Sequence, residues 1–160
     1  MPAIKRILVP VDFSPCSRAA FEYAASLASQ LGASLEVLHV WTETNFVGPD
    51  VVAAAFGQPP TTFKEYERAA AAKEMEQFLS TFRTARKPAI KSHIEDGEAY
   101  STIVKLAEQR GCELIVMGTH GRTGLARVLL GSVAENVVRH AHCPVLTVRL
   151  QEKAAVARAS

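Results

Sequence analysis

The sequence predicts a single α/β domain, an open five-stranded parallel sheet with helices on both faces. Three observations lead there. Short β-branched runs alternate with longer segments of helical periodicity along the whole chain, the trace that a parallel sheet with crossover helices leaves in sequence. The first run, from Ile4 to Val11, is apolar on both of its faces, as a strand covered from both sides must be. The length, 160 residues, suits one core without disulfide or metal staples, because a domain of that size buries roughly 68–70% of its unfolded surface. The domain is placed at residues 1–150. Residues 151–160, poor in apolar side chains, are expected to fray.

The elements follow in order. After the first strand, Asp12 or Ser14 offers a helix cap and Pro15 suits the first turn. Ala19, Ala20, Tyr23, Ala24, Leu27, Ala28 and Leu31 recur at helical spacing, and Gly32 supplies the stop. Ser34 to Trp41 is the second strand. From Thr42 to Pro60 the rhythm breaks on Gly48, Pro49, Gly57, Pro59 and Pro60, which marks a long loop with room for a short helical piece. Thr62 and Glu65 form a capping box. The helix it opens runs to about Ala85, with Tyr66, Ala69, Ala70, Met75, Phe78, Leu79 and Phe82 on its inner side. Pro88 to Glu95 is a third strand, weakened by lysine and histidine. Gly97 precedes a helix from Glu98 to Arg110, ended by Gly111. Glu113 to Met117 is the fourth strand, Ser132 to His140 the last helix, and Pro144 to Leu150 the fifth strand.

Composition excludes several classes. The net charge is only +2 and the Lys and Arg residues form no block, so no basic face awaits nucleic acid or an anionic membrane. No stretch approaches the roughly 18 apolar residues of a membrane span. The apolar run near the start, Ile7 to Val11, ends at Asp12 and is too short for a signal peptide. Three cysteines at unrelated spacings, Cys16, Cys112 and Cys143, read as reduced thiols. A cytoplasmic protein is expected.

Open parallel sheets take ligands beyond the carboxyl ends of their strands, where the strand order reverses. Two segments stand at such ends. After the first strand comes VDFSPCS, with no glycine and with the carboxylate of Asp12, a poor phosphate cradle but a fair place for a polar ring, a ribose hydroxyl or a metal ion. After the fourth strand come Gly118, Gly121, Gly124 and Gly131, the last directly before Ser132 at a helix start. Free N–H groups of a first helical turn favour an anion. His120 and Arg122 add donors, and Ser132 can cap the helix or give its hydroxyl to a phosphate. Gly118 is expected to let a ligand approach the strand tip, and Gly121 to hold a left-handed turn. No Walker A loop is present.

Gly118-x2-Gly121-x9-Gly131-Ser132, with the opening KRILVPVDFS and the closing HAHCPVLTVR, resembles the universal stress protein family over nearly the whole chain. The resemblance implies a Rossmann-like sheet in the order 3-2-1-4-5, which sets the first and fourth strands side by side. It implies ATP binding, with adenine and ribose near Val11, Asp12, Val40, Met117 and Gly118. The phosphates would lie against His120, Gly121, Arg122, Gly131, Ser132 and Val133. It also implies a dimer, and the short apolar run Pro144–Val148, expected at the sheet edge, invites pairing with a second copy on its own account.

The function expected is an ATP-binding stress-response regulator or sensor that acts on an unknown protein partner. The alternatives are a slow ATPase or adenylate-handling enzyme, and a dimeric interaction module whose loop is only structural. Asp12 could bond adenine, hold a metal such as Mg2+ that bridges phosphates, or simply cap the helix. His120 reads as a phosphate or loop contact, since no carboxylate nearby in sequence orients it as a base. His140, His142 and Cys143 do not form a paired zinc pattern. Cys16 is expected to be buried, and Ser14 and Ser17 to cap or to face solvent.

Overall fold

The computed structural model describes residues 3–42, 63–82, 87–120 and 130–150. In chain order these form β1 (Arg6–Pro10), α1 (Pro15–Leu31), β2 (Ser34–Trp41), α2 (Phe63–Ser80), β3 (Ile90–Asp96), α3 (Ala99–Arg110), β4 (Leu114–Gly118), α4 (Ser132–His140) and β5 (Val145–Val148). The five strands make one parallel sheet in the order β3-β2-β1-β4-β5. The fold class and strand order expected from the sequence are those found. Strand ends differ from expectation by one or two residues. The expected loop from Thr42 to Pro60 lies, after Thr42, outside the described residues, as do the Thr62 cap and the tail after 150.

The sheet is covered on both faces because β1 and β4 alternate between two cores. Ile7, Val9 and Val116 join Phe21, Ala24, Val37, Met75 and Phe78 beneath α1 and α2. Leu8, Ile115 and Met117 join Leu38, Ile103, Leu106 and Val137 beneath α3 and α4. Ile7, Leu8 and Val9 are completely buried, which is why this strand is apolar at consecutive positions.

Local chemistry sets the helix ends. Ser14 caps α1, its Oγ accepting from the Ser17 N–H at 3.2 Å, with Pro15 in the first turn. Gly32 closes the helix in the left-handed region, φ 67°. The buried face of α1 is Cys16, Ser17, Ala20, Phe21, Ala24, Ala25 and Ala28, so the small residues let the helix lie close on the sheet. Tyr23 and Leu31, expected inside, are about half exposed, because the helix is rotated to bring Phe21 inward.

α2 also differs. It ends at Ser80, not near Ala85, because Arg18 Nη1 and Thr81 Oγ1 donate to the Phe78 carbonyl and Ser80 Oγ donates to that of Gln77. Ala71, Met75 and Phe78 are buried, whereas Tyr66, Ala69 and Ala70, expected on the inner side, face solvent. Phe78 stacks edge-on against Phe13 and Phe21, with the Arg18 guanidinium 3.8 Å from its ring centre. Truncating such a ring to Ala costs about 3–5 kcal/mol.

The polar interruptions of β2 and β3 have a structural answer. Glu36 and His93 are hydrogen-bonded to each other, 2.5 Å apart, on neighbouring strands. Each removes the penalty of burying the other.

Candidate functional site

The turn from β1 into α1 is held tightly. Asp12 Oδ1 accepts from the Ser14 N–H at 3.0 Å. This hydrogen bond folds the carboxylate back over the turn, so Asp12 braces the cap rather than being the cap itself, and Ser14 takes that place. Between them Phe13 has φ 64°, an uncommon left-handed value for a bulky residue. Its ring sits 4.4 Å from His39, whose Nδ1 is 2.8 Å from the Val11 carbonyl oxygen. Packing of the partly buried Phe13 ring against His39 and Phe78 offsets a backbone cost of about 1–3 kcal/mol. Ser14 caps the helix, one of the two roles expected of it, and both Ser14 and Ser17 are buried rather than solvent-facing, because each bonds the other's backbone.

Beyond β4 the chain is held by Thr119. Its N–H donates to the Val148 carbonyl at 3.0 Å, and its carbonyl accepts from the Gly131 N–H at 2.7 Å. That second bond brings the chain back beside β4 at the start of α4. The first intrahelical bond runs from the Glu135 N–H to the Gly131 carbonyl. Gly131 has no side chain to cap the turn. By helix geometry the N–H groups of Ser132, Val133 and Ala134 point out of the N-terminus.

These two strand ends enclose a cleft of about 230 Å³ at the switch point of the strand order. Of the expected site residues, Val11, Asp12 and Val40 line one side, with Met117, Gly118 and His120 at the tip of β4. Gly131, Ser132 and Val133 line it from the start of α4. Gly121 and Arg122 lie outside the described residues. The sequence reading missed Leu38, Ile103 and Ala134, which give the cleft an apolar floor, and also Pro10, Ser17, Ala99 and Thr119. Leu38 was legible from the strand period that already pointed to Val40, and Ala99 with Ile103 from their one-turn spacing on α3.

One glycine expectation needs correction. The missing Cβ of Gly118 makes room for α1 and not for a ligand: a Cβ there would sit 2.8 Å from Cys16 Sγ and 3.2 Å from the Cys16 backbone, so the gap lets α1 pack onto β4. The amide of Gly131 is spent on Thr119, and its φ of −71° suits any residue. What it needs is space, since a Cβ would lie 3.1 Å from the Thr119 carbonyl oxygen. Ser132 likewise does not cap α4; it is the first helical residue.

Beneath the cleft Cys16 is buried, as expected, with Sγ 3.6 Å from the Val148 carbonyl oxygen and 4.0 Å from Thr119 Oγ1. Cys112 is packed beneath α3, where burial pushes its thiol up to about 12. Burial also raises Cys143. At the tip of β3, the hydrogen bond and charge of Lys64 hold the exposed Asp96 carboxyl below its ordinary range.

Comparison with known proteins agrees with this architecture. The model of the universal stress protein family matches residues 3–149. Universal stress protein MJ0531 of Methanocaldococcus jannaschii is 36% identical over 151 residues, which are 93% of this chain and 84% of that one. The solved structure of UspA from Lactobacillus plantarum has a TM-score of 0.73 at 31% identity, covering 93% of this chain and all of that one. A universal stress protein solved in complex with cAMP has a TM-score of 0.60 at 24% identity, covering 92% and 98%, and shares the fold. A match spanning nearly the whole sequence, on the same strand order, places this chain in the universal stress protein family.

Proposed function

We propose that the cleft binds an adenine nucleotide, with ATP as the main ligand, and that the protein acts as a stress-response regulator through that binding. The observation that carries the reading is the pairing of an apolar floor with an anion-seeking helix start in one crevice. Leu38, Val40, Ile103 and Met117 suit the flat apolar faces of a purine. Asp12, which lines the cleft from the end of β1, suits a ring amine or a ribose hydroxyl, or a Mg2+ ion carried by the phosphates. The first-turn amides of Ser132 and Val133, with His120 beside them, suit phosphate oxygens. Gly121 and Arg122 belong to the phosphate end by family resemblance. The relative solved with cAMP makes an adenine nucleotide the first ligand to test.

A homodimer in the cytoplasm completes the proposal. Among the described residues β5 ends the sheet, and an edge strand of that kind suits pairing with a second copy.

The test is nucleotide analysis of acid-quenched purified protein, followed by calorimetry with ATP. Co-purifying ATP, or micromolar binding, supports a sensor. Recovered ADP or AMP supports an adenylate-handling enzyme instead. A cleft that takes up no adenine nucleotide in either assay would leave a dimeric interaction module.

A further inference from the structure

Thr119 is buried, and the binding reading gives it no role. Its hydroxyl lies 2.9 Å from His120 Nδ1, next to the cleft that His120 lines. We propose that Thr119 is a positioning residue: its hydroxyl fixes the His120 imidazole so that Nε2 carries a proton and serves as a hydrogen-bond donor at the anionic end of the cleft. The donor's purpose rests on the nucleotide reading, whereas the placing of the ring does not.

The direction of the protons follows from the neighbours. The Val148 carbonyl can only accept, and it receives the Thr119 N–H at 3.0 Å and the Cys16 thiol at 3.6 Å. With the thiol proton directed there, two acceptors among the described residues stand near the Thr119 hydroxyl. One is Cys16 Sγ at 4.0 Å, a soft acceptor at long range. The other is His120 Nδ1 at 2.9 Å, a strong acceptor at ordinary hydrogen-bond length. The hydroxyl therefore donates to Nδ1, which leaves the neutral ring its proton on Nε2. When the ring is charged, Nδ1 donates instead and the same hydroxyl accepts. Nε2 is a donor in both states. Because the Thr119 carbonyl also holds the Gly131 N–H, one buried residue sets both the ring and the start of α4.

The experiment has two parts. Long-range proton–nitrogen spectra of histidine-labelled protein without ligand read the His120 tautomer directly. Wild type and Thr119→Ser should show Nε2–H, and Thr119→Val should lose that single state. Calorimetry then compares ATP with adenosine. Thr119→Val should weaken ATP about ten-fold, the scale of one hydrogen bond to a charged group, and adenosine by less, while Thr119→Ser restores ATP affinity. A wild-type His120 with its proton on Nδ1 overturns the assignment and needs no variant to fold. So does a Thr119→Val protein that keeps the tautomer, or one that changes tautomer without losing ATP affinity. A wild type that binds no ATP, yet shows the hydroxyl-dependent tautomer, sinks the nucleotide reading and leaves the positioning of the ring intact.

Discussion

The methyl group that Gly118 lacks would lie 2.8 Å from Cys16 Sγ. The tip of β4 and the first turn of α1 are thus in direct contact under the cleft. Gly118→Ala is expected to destabilise the protein by about 1–3 kcal/mol through overpacking. Cys16→Ala in the same chain should recover part of that loss, but not all, because the Cys16 backbone also stands within 3.2 Å. Urea denaturation of the four proteins in this cycle measures the coupling. Simple additivity would show that the contact is relieved elsewhere.

Gly131→Val acts by a different route. The backbone tolerates a side chain there, but its Cβ would press on the Thr119 carbonyl oxygen at 3.1 Å and part the bond that seats the start of α4. ATP affinity should fall about ten-fold, roughly 1.4 kcal/mol. Calorimetry on a folded variant with wild-type affinity would separate the phosphate end from this helix.

Ser14→Ala removes the cap of α1 and should cost about 1 kcal/mol by thermal or urea unfolding. Asp12→Asn keeps an oxygen for the Ser14 N–H and should leave stability within about 0.5 kcal/mol of wild type. Its ATP affinity then reports the carboxylate's charge without the turn's collapse.

Cys112 gives a pH signature. Its thiol ionises at about 12 in the folded chain against 9.0 ordinarily, so the folded state holds that proton longer than the unfolded one. The resulting stability is complete below pH 9.0 and declines as pH rises toward about 12. Cys112→Ala should lower stability at neutral pH by leaving a gap, yet flatten the alkaline fall. Parallel slopes for the two proteins in urea titrations across that range would contradict the shift.

For the edge strand the informative position is Thr147. A charge at Leu146 would strike a side chain packed against the core of α1 and α2. Thr147 is exposed on the same strand. Thr147→Lys should split a β5-paired dimer while leaving the monomer folded, as read by light scattering and circular dichroism. A dimer that survives uses another face.

Periodicity made the element order legible because the central strands are buried on both sides and helix ends fall on Ser14, Gly32 and Gly111, residues with local reasons to be there. The rotation of α1 was not legible, since Ala recurs on several of its faces and only packing selects Phe21 over Tyr23. The sequence reading of α2 placed Met75, Phe78, Leu79 and Phe82 correctly and failed at Tyr66, Ala69 and Ala70, where four consecutive alanines offer no direction. In the site, the residues at strand tips followed from topology. The purposes of Gly118 and Gly131 did not, because a glycine's neighbours across the fold, Cys16 and Thr119, have no trace in local sequence. The Glu36–His93 pair was hidden likewise: its partners are on different strands.

The pairing of Ile7 with Leu114 carries a consequence for biosynthesis. β1 finds its neighbour β4 only after β2, β3 and the helices between them have been made, and closing so distant a contact is slow. During elongation β1 and β2 can pair, but the flank of β1 that will meet β4 stays open to other chains. The crevice, which needs both tips, comes into being only once β4 and the start of α4 have been made, so a shorter nascent chain lacks it.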